Sequence, residues 1–90
     1  MHVINVVVMQ RVLDNKTGNV SYEKYMNFER LNYTEAAKLC RMFSESKTFI
    51  AYTYTVDVLD RTAREVDADI ELTAKNIMKK YNEKFKEERG

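Results

Sequence analysis

Residues Val3 to Leu13 constrain the fold more than any other stretch, because both of their alternating faces are apolar. One parity reads Ile4, Val6, Val8, Gln10, Val12, and the other Val3, Asn5, Val7, Met9, Arg11, Leu13. β-branched side chains pack well on a pleated surface, and a strand that is apolar on both sides is a central one, covered on both. The segment Asp14-Asn15-Lys16-Thr17-Gly18-Asn19 then supplies a turn, since Gly and Asn tolerate positive φ and Asp bonds its own following backbone. A second strand from Val20 to about Arg30 alternates Tyr22, Lys24, Met26, Phe28 with Ser21, Glu23, Tyr25, Asn27. That half-polar pattern, with lysine and glutamate in it, suits an edge strand.

Asn32 is a good helix N-cap, and Glu35 reaches back to it in capping-box spacing. Ala36, Leu39, Cys40 and Phe43 follow as one apolar stripe, and Ser44 to Lys47 ends that helix. Thr48 to Leu59 returns to a period of two, with Ile50, Tyr52, Tyr54, Val56 and Val58 on one side. Beyond it two periodicities compete. Leu59, Ala63, Val66, Ile70, Ala74, Ile77, Tyr81 and Phe85 form a helical stripe, whereas Val66 to Leu72 also alternates as a strand would. The strand version makes the chain a duplicated ββα-ββα unit, but its second turn, Arg61 to Glu65, has no Gly, Asn or Pro. Charge decides for one long helix. Six acids stand against Arg61 and Arg64 from Asp57 to Glu71, and six bases against three acids from Leu72 to Gly90, which is the order a helix dipole favours.

The expected architecture is a single α+β domain over residues 1–90, β-β-α-β-α, with a three-stranded antiparallel sheet of order 2-1-3. Both helices are expected on one sheet face. The other face is then left for a second copy, so a homodimer stacked by that face or by the last helix is anticipated. Ninety residues bury only about 60% of the surface of the unfolded chain, which an oligomer would relieve.

Much chemistry is excluded. Two glycines leave no phosphate-cradling loop. Cys40 and His2 have no neighbours at metal-ligand spacing, so no zinc site and no cofactor are expected. Asp57, Asp60, Asp67, Asp69 and Glu71 are the only dense carboxylates, and they read as a solvated acidic face. Tyr52 and Tyr54 share parity with Ile50 and Val56, which assigns them to core rather than to an RNA-stacking platform. Lys75, Lys79, Lys80, Lys84, Lys86 and Arg89 make the end of the last helix basic, but Glu83, Glu87 and Glu88 stand among them.

Fifteen basic against fourteen acidic residues give a net charge of +1, which lacks the basic excess of a nucleic-acid binder. The apolar run Val6 to Met9 is too short for a membrane span, and the start of the chain shows no signal-peptide pattern, so a cytoplasmic location is expected. Lys, Asn and Tyr usage without Pro or Trp fits a small reading frame of an AT-rich viral or mobile-element genome, for which the location is the host cytoplasm. The expectation is therefore a non-enzymatic protein-interaction module, an inhibitor or regulator that blocks a host or defence protein. Tyr25, Asp67, Glu71, Lys79, Lys80 and Lys84 are its candidate partner-binding residues. The alternative is a small nucleic-acid-binding regulator that uses the basic helix end.

Overall fold

The computed structural model describes the backbone of residues 1–89 and the side chains of residues 1–83. Its elements are β1 (His2–Leu13), β2 (Val20–Leu31), α1 (Tyr33–Ser44), β3 (Phe49–Asp57) and α2 (Ala63–Arg89). The three strands form one antiparallel sheet of order β2-β1-β3. Gly18 closes the β1–β2 turn at φ 73°, and the Gly18 amide donates to the Asp14 carbonyl.

Both helices start as their sequences specify. The Asn32 side chain accepts from the Glu35 amide at 2.7 Å, and the Glu35 carboxylate accepts from the Asn32 amide at 3.1 Å, so two orphan donors of the first turn are satisfied. At the head of α2 the Thr62 hydroxyl accepts from the Glu65 amide at 3.2 Å. Helix α2 runs unbroken through residues 66–72, so the duplicated ββα arrangement does not form. Leu59 stands outside the helical stripe, exposed in the turn before α2, and Ala63 is exposed as well. Phe85, the last member of that stripe, lies outside the described side chains.

The helices lie on opposite faces of the sheet, which corrects the expectation that they share one. Val6 and Val8 pack with Ala36, Leu39, Cys40 and Phe43 of α1. Val7 and Met9 pack with Val66, Ile70 and Ala74 of α2. The reason is the double apolar parity of β1: each helix has one apolar stripe, and two stripes are needed to keep both faces of a central strand from water. Among the described residues both faces of the central strand are covered from within the chain, so the face expected to receive a second copy is occupied by a helix.

Strand β2 also departs from simple alternation. Val8 pairs with Met26 but Met9 with Lys24, so Tyr25 is an extra residue, and a second irregularity falls between the Ile4–Leu31 and Val6–Phe28 pairs. Each bulge reverses the side-chain parity beyond it. Tyr22 therefore enters the core under α2 while Phe28 joins the core under α1. At the second bulge Arg30 has a positive φ of 54°, and the fully buried Asn5 side chain accepts from the Arg30 amide at 3.0 Å.

The outer edge of β2 is closed by a side chain. Asn82 of α2 accepts from the Tyr22 amide at 2.7 Å and donates to the Tyr22 carbonyl at 3.2 Å. One amide side chain thus takes the place of a neighbouring strand at that point. Tyr54 is buried as its parity demanded, and its hydroxyl donates to Asn27 at 2.8 Å. Burial pushes the Tyr54 phenol above its ordinary pKa. Tyr52 is 42% exposed, because it lies at the margin of α2 with its ring edge-on to Tyr81.

Candidate functional site: the outer side of the second helix

Helix α2 crosses the sheet beside β2 and leaves a cleft of about 640 Å³ lined by Lys24, Asn27, Glu29, Asp67, Glu71, Lys75 and Met78, with Ala74 at its base. The cleft brings together two of the candidate residues, Asp67 and Glu71. Both are already engaged: Asp67 pairs with Arg30 of β2, and Glu71 with Lys75 at 3.3 Å on the next turn. Two further acids of the set, Asp69 and Asp57, are held too. Asp69 binds Arg61 at 2.7 Å and Thr73 at 3.2 Å, and Asp57 binds the Leu59 amide at 3.1 Å. Among the described residues no group of three or more His, Cys, Asp or Glu is placed to hold a metal ion.

Two of these pairings contribute to the acid response of the fold. Hydrogen bonding from Arg61, helped by Thr73, holds the Asp69 carboxyl below its ordinary value of 3.8, and the Leu59 amide does the same for Asp57. A carboxyl whose pKa is lowered by folding contributes stability above the unfolded value and loses it as pH falls through the folded one. Unfolding free energy is therefore expected to decline as pH drops below about 4. Asp69→Asn is expected to flatten that decline, measured by urea titrations across the acid range; an unchanged profile would show that the Arg61 pair carries none of it.

Further along α2 the surface changes character. Leu72, Asn76, Lys79, Lys80 and Glu83 recur at helical spacing on the side away from the core. Leu72 is 57% exposed, and a shallow groove runs between Thr73, Asn76, Ile77, Lys79, Lys80 and Glu83. Among the described residues neither Lys79 nor Lys80 has an ion-pair partner, whereas Lys75 has one. Lys84 lies outside the described side chains. Tyr25 is half exposed but belongs elsewhere, since its ring packs 4.7 Å from Phe49 in the layer under α1. The structure thus places Lys79 and Lys80 on one surface, Asp67 and Glu71 in the adjoining cleft, and Tyr25 across the sheet.

Cys40 is half-buried, and its Sγ lies 3.0 Å from the Thr53 hydroxyl; its neighbour is thus a β3 threonine, and His2 pairs with Asp57 in the sheet. Sequence reasoning passed over Arg30, Arg61 and Leu72. The two arginines carried no local signal, because their partners stand 37 and 8 residues away. Leu72 lies off the apolar stripe of the expected helix, and its exposure is the one signal that marks it.

No helix among the described residues is long and apolar enough to cross a membrane. No protein-family model, no curated protein and no solved structure matches the chain.

Proposed function

We propose that the protein is a non-enzymatic interaction module that uses the outer side of α2 to cover an acidic surface of a partner protein. The observation that carries this reading is the stripe that joins exposed Leu72 to Lys79 and Lys80, two cations without an ionic partner among the described residues. An apolar contact beside two lysines that outnumber the one acid on the stripe, Glu83, suits a protein surface, where desolvated apolar area gives affinity and complementary charge gives orientation and rate. The viral or mobile-element origin suggested by composition makes a host or defence protein the natural target of such a blocker.

A nucleic-acid-binding regulator is the second reading, and the same two lysines favour it. The two separate by what Leu72 contributes. Tagged protein, with Leu72→Asp and Lys79→Glu/Lys80→Glu variants of intact fold, is to be incubated with bacterial lysate with and without nuclease treatment. The expected result is one protein retained in both lysates and lost from both variants. A catch that vanishes with nuclease, ignores Leu72→Asp and weakens steeply with salt would transfer the function to nucleic acid.

A further inference from the structure

We infer that β3 is the interface of a homodimer, in which two copies pair their β3 strands antiparallel about Thr53 into a continuous six-stranded sheet. This rests on the edge of the sheet and is independent of the reading of α2 above.

The two edges of the sheet are treated differently. That of β2 is interrupted by two bulges and closed at Tyr22 by Asn82, devices that discourage pairing. The edge of β3, Phe49–Asp57, has a regular register with β1 and no charged residue before Asp57. Which of its groups face outward follows from the bonds that frame it. The Arg11 amide donates to the Thr48 carbonyl and the Val58 amide to the Met1 carbonyl. In an antiparallel ladder such bonded positions alternate, so the even-numbered residues turn their main chain toward β1 and the odd-numbered ones turn theirs away. Both ends of the outward row are closed from within the chain: the Phe49 amide donates to Ser46 at 3.1 Å, and the Asp57 carbonyl accepts from Arg61 at 3.1 Å. Between them, Ala51, Thr53 and Thr55 offer main-chain donors and acceptors that no group among the described residues takes.

The strand suits its own copy. Only a register centred on Thr53 pairs the whole of β3 with a second β3, and that register puts outward-facing residues opposite outward-facing ones. On the side of α1, Thr53 then meets Thr53 of the second copy and Ala51 meets its Thr55. On the side of α2, Tyr52 meets Tyr54 of the second copy and Ile50 meets its Val56. Aromatic, β-branched and threonine pairs are those that stabilise cross-strand contacts, and the even-numbered pairs occupy the closer, non-hydrogen-bonded sites. The half-exposed Tyr52 gains cover it lacks in one chain.

The neighbouring helix is prepared for the same approach. Cys40 touches Thr53 of β3, which identifies the β3-ward flank of α1. Tyr33, Ala37 and Ser44 share that flank at spacings of four, three and four residues around Cys40, and none is charged. Glu35, Lys38, Arg41 and Glu45 fall elsewhere on the helix. A strand pair alone is a narrow contact, and stable interfaces bury on the order of 1,200 Å² or more. Two uncharged α1 flanks meeting over the paired edges supply the remainder. In such a dimer both copies of α2 lie on the same face of the sheet, so the proposed docking surface is presented twice.

The test is sedimentation equilibrium of the full chain together with amide hydrogen exchange. The expected result is a concentration-dependent dimer in which the amides of Ala51, Thr53 and Thr55 become protected as the dimer forms. Thr55→Pro removes an outward donor that β1 does not use, and Thr53→Lys sets two like charges on the axis. Each is expected to weaken dimerisation at least ~10-fold while circular dichroism remains that of the folded chain and melting loses its dependence on protein concentration. A chain that stays monomeric with those three amides unprotected, or a dimer indifferent to both substitutions, overturns the proposal; in the first case the edge is left to a foreign strand.

Discussion

Ile70→Ala is expected to cost about 2–5 kcal/mol of unfolding free energy, whereas Leu72→Ala on the same helix costs no more than ~0.5 kcal/mol. Ile70 is fully buried and packs in one cluster with Val7, Met9, Tyr54, Val66 and Ala74. Truncation removes most of its transfer free energy and leaves a cavity bounded by a central strand that has no freedom to collapse inward. Ninety residues at ordinary stability hold roughly 5–13 kcal/mol in all, so one such cavity takes a large share. The paired measurement also tests the fold. Were residues 66–72 a strand, Ile70 and Leu72 would share a parity, and both truncations would be costly. In the helix Val66, Ile70 and Ala74 point inward while Leu72 is 57% exposed. Urea unfolding with an unchanged slope reads the difference directly from the midpoints; equal losses at the two positions would reject the helix.

Most of the architecture was legible because local and tertiary signals agree. The Asn32–Glu35 capping box, the Gly18 turn and the parity of Ile50, Tyr54 and Val56 each follow from a rule that acts over a few residues. The strand order followed from the length of the β2–β3 connection, which needs a crossover and so puts β1 in the centre. The placement of the helices did not. The two apolar parities of β1 showed that two covers were needed, but nothing in a sequence states which stripe supplies which cover. That choice depends on which side of the sheet each connection leaves. The bulges were hidden for a different reason. Tyr25 and Arg30 have no glycine to announce them, so β2 read as a clean alternation when its parity in fact switches twice. The site was legible as residue types and not as pairs: Asp67 stood out as an acid, while Arg30, the base that neutralises it, lies on another element.

Asn5 is where the sequence left a mark that had no local meaning, a single amide in the apolar run from Val3 to Met9. Its side chain is fully buried, and its Oδ1 is the acceptor for the Arg30 amide at the bulge, with Nδ2 3.4 Å from the Val3 carbonyl. Asn5→Leu keeps the size and removes the acceptor. The leucine gains apolar transfer energy, but the Arg30 amide is left in a backbone conformation of positive φ with nothing to bond. The Arg30–Asn5 bond is part-buried, so leaving that amide without a protein partner costs about 1–3 kcal/mol, while the strain of its positive φ is common to both proteins. The polar loss exceeds the apolar gain, and a net destabilisation of about 1 kcal/mol is expected, with faster hydrogen exchange at Arg30. Asn5→Asp separates acceptor loss from charge burial. It retains an oxygen for Arg30 but buries a carboxyl, whose pKa desolvation raises. Its stability is expected to recover as pH is lowered and the carboxyl protonates, opposite in sign to the acid loss carried by Asp69 and Asp57. If Asn5→Leu proves neutral while Arg30 exchange is unchanged, the bulge is held by the strand ladder alone and the buried amide has no structural work at that position.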